Sequence, residues 1–208
     1  MNRILTVFLL IATPIFAAEP WSAPSQQQVD AVYPMAEALY LDLHQHPELS
    51  NQEVQTASKI ASHLRQLGYE VTEHFGGRAG TGVVGLLRNG PGPVVLMRTD
   101  MDALPVEENT GAAYASKVHV KDEKGTEIPV MHACGHDTHM AISIGTLRLL
   151  AENKDRWRGT VVFMGQPAEE GGGGAESMIA AGLLTKFPRP DFAIGIHDSP
   201  TQDRKSVV

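Results

Sequence analysis

Cys134 and His136 stand two positions apart around Gly135, within the run Met131-His132-Ala133-Cys134-Gly135-His136-Asp137-Thr138-His139. A thiolate and an imidazole at that spacing can grip one divalent metal ion, because the glycine lets the backbone turn both towards a common centre. A lone cysteine by itself reads as a small buried hydrophobe. Histidines at 132, 136 and 139 move the reading to a metal site. Glu169 and Glu170 would ordinarily be a pair of solvated surface charges, yet they follow an apolar run and precede Gly171 to Gly174, so they fall on a tight turn at a sheet edge. One carboxylate can then hold metal while the other takes a proton from water, the division of labour that two-metal hydrolysis requires. The glycines alone could cradle phosphate, but carboxylates immediately before them would repel it.

Asp100 and Asp102 flank Met101 just past an apolar run, where a charge is costly unless it is paired or linked to metal. A turn or helix cap is the alternative for either residue. Asp102 is assigned a place behind the ligands, orienting a histidine or steadying the metals; Asp100 is given no role. His197, after the last apolar run, is placed for a terminal imidazole ligand, and Asp198 beside it reads as a loop residue. His44 and His46 read as capping or packing residues, and His63, His74 and His119 as scattered surface histidines.

The elements that must position these groups follow from periodicity. Apolar residues from Val29 to Leu43 recur at helical spacing up to Pro47, and a second helix is expected over 51–67, closed by Gly68. Strands are expected at 69–74, 81–87 and 93–99, with a charged hairpin over 117–131. A helix over 138–151, a strand over 160–165, a helical piece near 175–181 and a strand over 191–196 complete the series. This alternation predicts an α/β fold with a mainly parallel central sheet and helices on both faces, its site gathered at the carboxyl ends of strands.

Composition narrows the class. With 42% hydrophobic and 20% charged residues, the 208-residue chain can bury one domain core, and its net charge of -7 disfavours nucleic acid as a partner. Met1-Asn2-Arg3, the apolar run Ile4 to Phe16 and Ala17-Ala18 have the order of a signal peptide cleaved after Ala17. The run is too short, and too interrupted by Pro14, for a stable membrane anchor, so an exported protein, periplasmic or secreted, is expected. Residues 18–28 read as a linker, 29–200 as the domain, and 201–208 as a polar tail foreign to it.

Taken together, His46-Pro47-Glu48-Leu49-Ser50, Asp100-Met101-Asp102-Ala103-Leu104-Pro105, His132-Ala133-Cys134-Gly135-His136-Asp137 and Gln166-Pro167-Ala168-Glu169-Glu170 resemble the aminoacylase, hippurate hydrolase and auxin-conjugate hydrolase branch of the metallopeptidase superfamily. The resemblance runs over about Val29 to Pro200. It implies a zinc-peptidase type of catalytic domain that binds two divalent metal ions, manganese or zinc. Cys134, His136, Glu170 and His197 would be ligands, with Cys134 bridging, and Glu169 the general base. The implied substrate is a small N-acyl amino acid or peptide-like amide, with a dipeptidase or deacetylase as the alternative on the same scaffold. Members of the branch form homo-oligomers and continue into a lid domain that precedes their last histidine ligand. By that resemblance the chain is expected to be the N-terminal part of a catalytic domain without its lid, and a metal-binding fragment without turnover is the competing reading.

Overall fold

The computed structural model describes residues 23–121 and 124–199. The apolar run at 4–16, the cleavage site after Ala17, the hairpin-tip residues Asp122 and Glu123 and the tail 201–208 lie outside the described residues. No helix among the described residues is long and apolar enough to cross a membrane.

Helix α1 spans Gln26–Gln45 and starts inside the stretch expected to be a linker. The reason is a reciprocal cap: the Ser25 hydroxyl accepts from the Gln28 N–H while the Gln28 side chain accepts from the Ser25 N–H. Helix α2 spans Val54–Gln66, beginning later than periodicity predicts because Asn51 takes a left-handed conformation at φ 64°. Its first turn is capped from outside, by the Glu48 carboxylate accepting the N–H groups of Gln55 and Thr56 at 3.0 and 2.8 Å.

Strands β1 (Glu70–Thr72), β2 (Val83–Asn89), β3 (Val94–Asp100), β6 (Gly159–Gln166) and β7 (Phe192–Gly195) form one sheet in the order β1-β2-β6-β3-β7, and β4 (His119–Lys121) and β5 (Glu127–Pro129) make the separate hairpin. The sheet is mixed: β3 pairs parallel with β6 and β7, whereas β2 pairs antiparallel with both β1 and β6. Parallel pairing is therefore confined to the half that carries the candidate chemistry. An apolar run reads the same in either strand direction, so direction is not visible in composition.

Helices cover both faces, as expected. On one face Leu43, Ile60, Leu64, Met140 and Ile144 from α1, α2 and α3 (His136–Glu152) pack with Val83 and Phe163. On the other, Val84, Val162 and Met164 meet Met178 of α4 (Gly174–Ala180) and Leu183 of α5 (Leu183–Lys186). Residues such as Phe163 and Ile144, with no exposed surface, each contribute about 1.5–3 kcal/mol by burial. Among the described residues β7 is an edge strand, opposite β1, with Phe192 63% and Ile194 51% exposed.

Candidate metal centre

Three neighbouring strands deliver the site. In the parallel register Asp100 faces Gln166 and Arg98 faces Gly195, so β3, β6 and β7 end side by side and release Asp102, Glu169 and His197 from one edge. The Cys134 turn meets them from the start of α3. Gly135 adopts φ 76°, and a Cβ there would lie 2.5 Å from Asp198 Oδ2, so both conformation and space demand glycine between the two ligand-type residues.

The Cys134 sulfur, a ring nitrogen of His136 and a carboxylate oxygen of Glu170 lie within 4.8 Å of one another. An ion held at about 2.0–2.3 Å from each ligand leaves them roughly 3–4.6 Å apart, so the triad fits a shared ion. His197 Nε2 lies 3.4 Å from Cys134 Sγ. Its Nδ1 faces the Asp198 carbonyl at 2.6 Å and must donate there, which leaves Nε2 as the acceptor in a neutral ring.

The His136 ring is oriented in the same way. Its Nδ1 donates to the main-chain carbonyl of Asp102 at 2.8 Å, so in the neutral ring the lone pair sits on Nε2, which is buried without a hydrogen-bond partner among the described residues. A buried polar nitrogen left unbonded is costly, and a cation among the Cys134, Glu169 and Glu170 donors would satisfy it. Glu170 Oε1 and Glu169 Oε2 lie 3.8 and 3.9 Å from that nitrogen.

The electrostatics agree. Burial, a hydrogen bond to Glu170 and the charges of Glu170, Glu169 and Asp100 push the Cys134 thiol up to about 12, and a divalent cation would reverse that local field and favour thiolate. Asp102 has about 1% of its surface exposed. Burial would raise its pKa, but the His136 ring, 3.6 Å from Oδ1, and hydrogen bonds from Ser50 and the N–H groups of Glu169 and Glu170 hold it down at about 2. Its carboxylate takes the Glu169 N–H on Oδ1 and the Glu170 N–H on Oδ2, both at 3.0 Å. Asp102 thus steadies the acidic turn with its side chain and His136 with its backbone, a more divided role than sequence reasoning assigns it. Asp100 is also fully buried, bonded to His139 Nδ1 and to Arg98, each at 2.8 Å.

The sequence pattern of Peptidase family M20/M25/M40 matches residues 96–208, more than half of the chain. The chain belongs to this family. The M20-family chain is 48% identical over 160 residues to thermostable carboxypeptidase 1 of Saccharolobus solfataricus, covering 76% of itself and 37% of that relative. It is 42% identical over 159 residues to the hippurate hydrolase of Campylobacter jejuni, covering 76% of itself and 38% of that protein. Its fold superimposes with a TM-score of 0.71 on a Bacillus subtilis protein described as a dinuclear metal binding peptidase from the M20 family, at 38% identity over 82% of this chain and 44% of the other. The M20-family chain therefore spans roughly two fifths of the length of these relatives.

Several site residues of the M20-family chain escape sequence reasoning. His139 links Asp100 to Asp198, whose carboxylate and N–H both lie 2.9 Å from His139 Nε2, so Asp198 is more than a loop residue. Ser50 Oγ donates to Asp102 Oδ2 at 2.5 Å and accepts from the Gly171 N–H at 2.9 Å. His132 is buried outside the ligand cluster, and burial pushes it down to about 4. The other four minor histidines divide: His46 and His74 are exposed and His63 half-buried, while His119 is exposed on the hairpin.

His44, expected to cap or pack, lies instead in a buried ion cluster, with Nδ1 2.6 Å from Asp137 Oδ2 and Nε2 3.2 Å from Glu108 Oε1. Burial would lower its pKa, but the Asp137 and Glu108 carboxylates outweigh it and raise the value above 6.5. A raised histidine stabilises the fold fully below its unfolded pKa of about 6.5, and that contribution is lost as pH rises through the folded value. Thermal midpoints measured from pH 6 to 9 should therefore fall more steeply for the native chain than for His44→Gln; parallel curves would refute this.

Proposed function

We propose that the protein is a metal-dependent amidohydrolase that cleaves the amide bond of N-acyl amino acids. Burial of the unbonded His136 Nε2, facing Cys134 and Glu170 with Glu169 alongside, is the observation that carries this reading. Cys134, His136, Glu170 and His197 would hold two divalent ions, manganese or zinc; thiolate and imidazole favour zinc by softness. Bound ions supply Lewis acidity and make water at the site more acidic. Glu169, with a side chain 36% exposed at the mouth of the cluster, takes the proton of the attacking water and returns it to the leaving amine. Asp102 keeps Glu169 and Glu170 on their turn through both carboxylate oxygens. The order of residues 1–18 supports an exported enzyme.

The relatives named hippurate hydrolase and carboxypeptidase set the two substrate arms of the test. Protein stripped by chelator and reloaded with zinc or manganese is assayed for free amino acid released from hippurate, N-acetyl amino acids and dipeptides. Metal-dependent release from N-acyl substrates is expected. Release from dipeptides alone would shift the reading to a peptidase, and tight metal binding without any hydrolysis would support a metal-binding fragment.

A further inference from the structure

Glu53 has no exposed surface and lies outside the candidate ligand cluster, and every hydrogen-bond partner of its carboxylate among the described residues is a donor. Oε1 accepts the N–H groups of Asn51 and Ala168, each at 2.8 Å, and Oε2 accepts the Thr81 hydroxyl at 2.7 Å. Both of those amides belong to non-glycine residues with positive φ, Asn51 at 64° and Ala168 at 47°. Alanine rarely adopts that region, because its Cβ crowds the following carbonyl. The conformation at Ala168 therefore persists because something over-determines it.

The position of Ala168, directly before the acidic pair, makes its strain consequential. The next N–H groups, those of Glu169 and Glu170, are taken by the two oxygens of Asp102. Three successive amides of one turn are thus gripped by two buried carboxylates, Glu53 on the entry residue and Asp102 on the acidic pair. The left-handed residue is the point where the chain leaves β6 and swings both glutamates towards His136. Released to negative φ, Ala168 would carry the Glu169 carboxylate off its line, and displacement of a reacting group by about 1 Å can cost on the order of 100-fold in rate.

We propose that Glu53 is a positioning residue that locks Ala168 in the left-handed conformation and thereby aims Glu169 and Glu170 into the metal centre. The effect on turnover rests on the amidohydrolase reading; the effect on the turn does not. The lock works through the placement of an acceptor oxygen rather than through charge. Glu53→Gln keeps Oε1 where the two amides need it and can donate its NH2 to the Thr81 oxygen. Glu53→Asp keeps the charge but withdraws the acceptor by one methylene.

Two readouts test this in the whole protein. The first is hydrogen exchange at the amides of residues 168–170 in metal-free protein, with Leu86 in β2 as the reference. Glu53→Asp should accelerate exchange at Ala168 by about tenfold or more with Leu86 unchanged, and Glu53→Gln should stay near the native rate. The second is steady-state kinetics with metal: Glu53→Asp should lower kcat by about 10–100-fold with KM within about threefold, Glu53→Gln should retain most of kcat, and Ala168→Gly placed in the Glu53→Asp background should recover much of the loss, since glycine reaches positive φ without help. Glu53→Gln as damaging as Glu53→Asp in exchange, or no change at residues 168–170 in Glu53→Asp, would overturn the proposal. If the native protein hydrolyses no amide while the exchange pattern holds, the functional reading fails and the lock stands.

Discussion

His136→Ala is expected to remove tight binding of divalent metal, lowering affinity by at least about 100-fold, beyond the 10–100-fold typical when only an outer partner of a ligand is lost. The size follows from the position of this ring. It has no exposed surface, its Nδ1 is committed to the Asp102 carbonyl, and its Nε2 has no hydrogen-bond partner among the described residues to which it could revert. Without His136 the triad keeps only Cys134 and Glu170, of opposite softness, and His197, 3.4 Å from the Cys134 sulfur, would have to serve as the one imidazole, too few donors for two catalytic ions. Titration calorimetry with zinc and manganese on metal-free protein measures the loss. Thermal unfolding without metal separates it from a packing defect, since a cavity lowers the midpoint with or without ions. An affinity within tenfold of the native protein would place the metal elsewhere.

Glu169→Gln should give the opposite signature: kcat lower by about 10²–10⁴-fold with metal stoichiometry unchanged. Glu169 lies close to His136 Nε2 at 3.9 Å but does not complete the tight triad, which closes with Glu170. The amide replacement keeps shape and hydrogen bonding while removing the ability to carry a proton. Steady-state rates on an N-acetyl amino acid, paired with metal analysis, decide the matter. Loss of metal in this variant, or retained turnover, would exchange the roles of the two glutamates or dismiss both.

How much of this is legible in the sequence depends on distance along the chain. Cys134 and His136 can be paired on sight because Gly135 alone separates them. Glu169 and Glu170 declare themselves by the apolar run before and the glycines after. The strand ends that gather them are visible as unbroken apolar stretches, and α3 as a periodic one. The contacts that hold these candidate ligands in place are not. Glu53 meets Ala168 across 115 positions, Ser50 meets Asp102 across 52 and His139 meets Asp100 across 39, and a lone acid, serine or histidine carries no local mark of a distant partner. The early start of α1 is readable in principle, since Ser25 and Gln28 have capping spacing, but the polarity of the stretch points to a linker. The antiparallel run of β2 is hidden because burial on both faces erases the alternation that distinguishes strand environments.

Asp102 holds the imidazole of His136 through a main-chain carbonyl, an atom that every amino acid supplies. Substitution at position 102 can therefore loosen or retune the acidic turn while the histidine keeps its tautomer. Exchange of this side chain leaves the main-chain hydrogen bond to His136 in place, and a mild phenotype at 102 would measure the grip on Glu169 and Glu170 and the carboxylate's charge beside the ring rather than the importance of the position. Selection acting on the turn is in this way uncoupled from selection acting on the ligand.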